Sequence, residues 1–191
     1  MKFIKMILNI LIMGSNNDII PDTQKNIVIV GPSSSGKSTL INEWVNKGHY
    51  KNKDICMGKD YIKNGKEKKL IHYNILRGFE KHRSNDPLAD NILKEILKRE
   101  NLLFYILLIK KENLLKRINN RTHIEYKKFG SGAIKLTGYH SNTVKNIVNK
   151  CDYGGIYKSF IKILEDNNIE YILCDNNEKN IKIKDKNYDY I

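Results

Sequence analysis

Ile27-Val28-Ile29-Val30-Gly31-Pro32-Ser33-Ser34-Ser35-Gly36-Lys37-Ser38-Thr39-Leu40 is the stretch on which the fold turns. Four apolar residues rich in β-branching read as a buried strand. The next residues fit G-x-x-x-x-G-K-S, and Leu40 opens a helical apolar pattern. In that strand–turn–helix setting, Gly31 and Gly36 let the backbone curl so that successive N–H groups converge into a concave nest for an anion. The positive end of the helix beginning near Lys37 adds to the same field. A nucleoside triphosphate is the expected occupant, cradled by Gly31, Pro32, Ser33, Ser34, Ser35, Gly36, Lys37, Ser38 and Thr39. Lys37 is expected at the β- and γ-phosphates, and the Ser38 hydroxyl on Mg²⁺.

Working outward, the helix after the loop should run from about Lys37 to Lys47, with Leu40, Ile41, Trp44 and Val45 on one face and Gly48 as its C-terminal cap. His49 to Lys69 is polar and Lys-rich, with one short strand expected at Asp54-Ile55-Cys56-Met57. Leu70 to Leu76 reads as the next strand. Asp86 and Pro87 should open a helix that continues through Arg99 with Leu88, Ile92, Leu93, Ile96 and Leu97 inward. Leu102 to Ile109 is apolar at every position, the pattern of a central parallel strand. Short helices are expected at Glu112–Asn120, Asn142–Cys151 and Ile156–Asp166, then a strand at Ile169–Cys174, with Ile181 and Ile183 suggesting an edge strand. The alternation predicts an α/β fold, three layers with a mainly parallel sheet covered on both faces. Ligands then belong at the carboxyl ends of the strands, where the phosphate loop sits.

The chain has 191 residues, enough for one α/β domain with a full core. The organisation read from it is an N-terminal extension and linker at 1–25, a nucleotide-binding domain at 26–175, and a polar tail at 176–191. Net charge is +13, which suits anionic ligands such as nucleotides. The positive charge is scattered, without a basic block or an aromatic-interleaved stripe, so nucleic acid is not the expected partner. Cys56, Cys151 and Cys174 are odd in number, far apart and not in metal-ligand spacing, which fits a reducing, cytoplasmic compartment. Residues 2–13 are apolar yet too few to span a bilayer, and no signal-peptidase pattern follows them. No transmembrane segment is expected, and peripheral membrane contact by residues 2–13 stays open.

Over residues 26 to 175 the chain resembles the small P-loop kinases, the group of the P-loop NTPases that holds nucleoside monophosphate kinases, gluconate kinase and shikimate kinase. The phosphate loop carries the resemblance. A second match is Leu114-Leu115-Lys116-Arg117-Ile118-Asn119-Asn120-Arg121, which fits the L-x-x-R-x-x-x-R helix that leads into the lid of those kinases. The resemblance implies the P-loop NTPase fold, ATP and Mg²⁺ as cofactors, a small-molecule acceptor, and catalytic roles for Lys37, Arg117 and Arg121. Arg117 and Arg121 stand four apart, on one helical face. Thr122 to His140 has the composition of a short lid (about 121–140 with its flanks), holding Gly130, Gly132 and Gly138 beside Lys127, Lys128 and Lys135. On the acceptor side His72, Tyr73, Asn74 and Arg77 close the second strong strand; Arg77 suits an anionic acceptor, and His72 or Asp60 suits a hydroxyl.

The chain departs from that group at its acid. Many P-loop enzymes place a carboxylate after an apolar strand, whereas here Lys110-Lys111 follow one strand and Asn74 ends the other. Either Asp54 or Asp60 substitutes, or the protein binds nucleotide as a regulator without turnover. Base identity is also open, ATP being preferred over GTP. Asn149-Lys150-Cys151-Asp152 fits the N-K-x-D sequence with which GTPases read guanine, although Val144, Ile147, Val148 and Cys151 place it in a helical pattern and no D-x-x-G lies midway.

Overall fold

The computed structural model describes residues 19–120, 125–127, 133–135, 138–177 and 181–184. The apolar start at 2–13, Arg121, Lys128, Gly130 and Gly132 lie outside the described residues. Strand β1 (Asn26–Gly31) runs up the middle of a six-stranded sheet. On one side of it stand β3 (Leu70–Asn74) and then β2 (Ile55–Met57); on the other stand β4 (Leu102–Leu108), β7 (Glu170–Asp175) and β8 (Lys182–Lys184). The first five pair in parallel and β8 joins antiparallel. A second, two-stranded sheet pairs β5 (Glu125–Lys127) with β6 (Ala133–Lys135) in the segment expected as a lid.

Alternation along β1 explains the layers. Val28 and Val30 face one core, Ile27 and Ile29 the other, and all four are fully buried. The first core is closed by α4 (Asn91–Leu97), α5 (Lys111–Asn119), α6 (Gly138–Lys150) and α7 (Tyr153–Asp166). Helix α7 is the clearest case: Tyr153, Ile156, Tyr157, Phe160 and Leu164 recur at helical spacing and are buried, while the Asp152 carboxylate caps the helix at Gly155 N, 3.0 Å away. The second core is closed by α1 (Lys37–Asn46), which buries Leu40, Ile41 and Trp44. Burying each such side chain is worth roughly 1.5–3 kcal/mol. Trp44 also meets the Tyr105 ring edge-on, with centroids 5.1 Å apart, tying α1 to β4. Gly48 follows α1 where the sequence places it, its N–H donating to Val45 O at 3.0 Å.

The packed domain already includes Ile19 and Ile20. Ile19 is buried and its carbonyl accepts the Trp44 indole N–H at 2.6 Å, while the Tyr105 hydroxyl donates to Ile20 O at 3.3 Å. At the other end, Asn176 is buried and β8 continues the sheet. Three local expectations change. The strand read to Leu76 stops at Asn74, because the Asn74 side-chain oxygen accepts Leu76 N and turns the chain into α3 (Arg77–His82). The helix read from Asp86 to Arg99 divides: Asp86 caps only a 3₁₀ turn at Pro87–Ala89, Asp90 is extended, and α4 starts after it with Asp90 as its own cap. The Lys-rich stretch before β3 contains α2 (Tyr61–Asn64), anchored by the buried Tyr61.

Candidate phosphate-binding site

Because β1 lies between β3 and β4, the chain leaves it toward one side of the sheet and later returns to build the other. That reversal of strand order opens a crevice at the carboxyl edge, the place where open α/β sheets bind ligands. The loop from Gly31 to Lys37 occupies it. Ser35 N donates to Pro32 O at 3.2 Å, closing a turn, and Ser34 and Gly36 both adopt left-handed backbone with φ of 71° and 93°. Alternating left- and right-handed residues turn consecutive N–H groups to one side, which is how a backbone nest for an anion is made. For Ser34 this conformation costs on the order of 1 kcal/mol, the kind of strain that collects at ligand sites.

Gly31 is required by contact. A Cβ there would stand 2.5 Å from Ser35 Oγ and 3.3 Å from Leu107 Cβ. Ser35 is fully buried, and its hydroxyl has no hydrogen-bond partner among the described residues. Lys37 is also buried, and its ammonium folds back onto the loop, donating to Gly31 O at 2.7 Å and Pro32 O at 2.6 Å. A positive charge is thus held at the mouth of the nest.

Ser38, in the first turn of α1, directs its hydroxyl toward the neighbouring strand, where Oγ and His72 Nε2 are 3.4 Å apart. Burial pushes the His72 imidazole well below its ordinary pKa, and the nearby Lys37 charge pushes the same way, so it is neutral at pH 7. The Ser38 hydroxyl, the His72 imidazole and the anion nest together suit a divalent cation that arrives bound to phosphate, since such ions take few protein ligands and keep phosphate and water oxygens. Among the described residues no group of three or more His, Cys, Asp or Glu could hold a metal ion by itself.

The acceptor-side residues are near this edge with their groups engaged. Asn74 sits opposite Gly31 across β1–β3, and its amide donates to Glu80 on α3 at 3.3 Å. Tyr73 donates to the buried Asp90 at 2.7 Å, and Arg77 Nε pairs with the same carboxylate at 3.1 Å. Asp54 accepts Lys51 N at 2.9 Å. Asp60 lies in the exposed turn before α2.

Arg117, half-buried on α5, donates to Asn176 O at 2.6 Å. Asn176 in turn donates from its side-chain amide to Ser35 O. The structure thereby brings Arg117 within one residue of the loop. Asn176 escapes a sequence reading because it follows the last parallel strand in a polar, Asn-rich stretch that looks like tail; the signal was its position at the carboxyl end of β7. Asn149 and Lys150 are exposed at the end of α6, and Asp152 spends its carboxylate capping α7.

No protein-family model matches the chain, and no curated protein matches it either. Among solved structures, the crystal structure of shikimate kinase from Bacteroides thetaiotaomicron is similar over 76% of this chain and 99% of that one, at 14% identity and a TM-score of 0.31. The fold is α/β, with a mainly parallel six-stranded sheet. Among the described residues no helix is long and apolar enough to cross a membrane.

Proposed function

We propose that the protein binds ATP with Mg²⁺ through Gly31–Thr39 and transfers the γ-phosphoryl group to a small-molecule acceptor. One observation carries this reading: a G-x-x-x-x-G-K-S loop with alternating left-handed residues at Ser34 and Gly36, set at the point where strand order reverses, with the Lys37 ammonium at its mouth. The loop N–H groups would hold the β-phosphate, and Lys37 would exchange its two carbonyl partners for phosphate oxygens. Ser38 would ligate the metal, whose chemistry is to offset charge on the phosphate oxygens. Arg117 and Arg121 would approach from the lid side, an assignment supported for Arg117 by its link through Asn176 to Ser35.

Phosphoryl transfer asks mainly for positioning and charge stabilisation, which a nest, a lysine and arginines supply. The acceptor would lie between the end of β3 and α3. There Glu80 is the carboxylate that the chain holds beside Asn74, where other P-loop enzymes carry an acid. The three buried free thiols support a reducing compartment.

A panel of ATP, GTP, ADP and GDP, each with and without Mg²⁺, tests the donor half by thermal shift. Ligand at a hundred times its Kd adds about 2.7 kcal/mol of stability. Preference for ATP, followed by ADP release that depends on one member of an acceptor panel, supports the kinase. Tight ATP binding with no acceptor-dependent turnover points to a nucleotide-binding regulator.

A further inference from the structure

The contact between Ser38 and His72 is too long for a good hydrogen bond. Hydroxyl-to-nitrogen bonds settle near 2.8 Å, whereas this pair stands at 3.4 Å. The separation suits something else. Two donors sharing one divalent ion at about 2.1 Å each, at right to tetrahedral angles, stand roughly 3.0–3.4 Å apart. The pairing of β1 with β3 fixes this geometry, since His72 is in register with Ile29, two residues before the loop begins. The imidazole lies beside the loop, and among the described residues no carboxylate is hydrogen-bonded to Ser38.

We infer that His72 Nε2 is a second protein ligand, beside Ser38 Oγ, for the cation that enters with the nucleotide, and that the site therefore favours Mn²⁺ or Co²⁺ over Mg²⁺. The inference rests on the nucleotide-binding reading above. An oxygen-only site matches Mg²⁺, a hard ion that binds nitrogen poorly; replacing one oxygen by imidazole moves preference toward first-row transition ions, modestly for Mn²⁺ and more for Co²⁺. Phosphate and water oxygens would supply the other ligands. With Asn74 in place of a carboxylate, the ligand supplied by β3 comes two residues earlier, from His72.

The test uses the whole chain with Mn²⁺ and β,γ-methylene-ATP. First, thermal shift with Mg²⁺ and with Mn²⁺ establishes nucleotide binding. Electron spin-echo modulation of the Mn²⁺ complex should then show a directly bound nitrogen, and its frequencies should change when the protein is made with ¹⁵N-histidine. In His72→Gln the nitrogen signal should vanish, and the ratio of Mn²⁺ to Mg²⁺ affinity should fall roughly tenfold. Should His72→Gln fail to fold, the isotope comparison on the wild-type chain decides alone. Stabilisation by nucleotide with both ions but no histidine nitrogen signal overturns His72 as a ligand and leaves the nucleotide site standing. Failure of nucleotide to bind with either ion overturns both.

Discussion

Asn176 is laid across the Gly31–Lys37 loop: its side-chain amide donates to Ser35 O, and a Cβ on Gly36 would fall 2.5 Å from that same nitrogen. Two strands far apart in sequence, β1 and β7, thus fix one loop conformation. Asn176 is held in turn by its backbone N–H on Leu108 O at 2.9 Å and by Arg117 on its carbonyl.

Gly36→Ala should therefore carry two penalties. The left-handed φ costs roughly 1–2 kcal/mol for any side chain, and the new methyl group displaces Asn176 from Ser35. Asn176→Ala alone removes the buried hydrogen bond to Ser35 O, about 1 kcal/mol, and with it a long 3.5 Å contact from Arg117 to the Asn176 side-chain oxygen. In urea titrations the double variant should lose less than the sum of the singles, because the clash disappears with the amide. Full additivity would show that Asn176 does not constrain the loop.

Asp90 ties β3, α3 and α4 together beside the site. It is almost fully buried, takes the Tyr73 hydroxyl and Arg77, and caps α4 at Ile92 N, 3.3 Å away. Removing it leaves Arg77 charged and part-buried without its partner. Asp90→Ala should cost about 3–5 kcal/mol, and Tyr73→Phe on the order of 1 kcal/mol. Urea midpoints of the two variants check this. A loss below about 1 kcal/mol for Asp90→Ala would refute the buried role.

Alkaline stability follows from the buried thiols and phenols. Burial raises Cys174 above its ordinary 9.0 and Tyr157 well above its ordinary 10.0. A raised folded-state value means the unfolded chain releases protons first as pH rises. The contribution is therefore complete below about pH 8.5 and declines beyond it, more steeply once unfolded-state tyrosines ionise near pH 10. Tm measured from pH 8 to 11 should fall across that window. Tyrosinate absorbance of Tyr157, taken as wild type minus Tyr157→Phe, should appear with unfolding rather than before it.

The sequence makes the central elements legible for a physical reason. Ile27–Val30 and Leu102–Leu108 are buried on both faces, so local pattern and tertiary environment demand the same residues, and β1 and β4 form where read. Trp44 and Gly48 likewise carry their own instructions. Asp90 does not. Its neighbours look helical, yet it is extended, with Tyr73 of β3 and Arg77 of α3 on its carboxylate. The loop residues are equally plain in the motif, whereas Asn176 and Glu80 are brought to the site only by sheet order and by the turn after Asn74. Long-range register decides them, and no local pattern encodes it.

Lys37 offers the most direct test of the central claim. Its ammonium is buried against Gly31 O and Pro32 O, carbonyls that water can satisfy at the open edge once the side chain is gone, so Lys37→Ala should remain folded. Each charge-assisted hydrogen bond to phosphate is worth about 1.5–3 kcal/mol. Calorimetric titration of ATP with Mg²⁺ should therefore give a Kd roughly 10- to 100-fold weaker for Lys37→Ala than for the wild-type chain. Equal affinity for the two, with both folded, would contradict triphosphate binding at this loop.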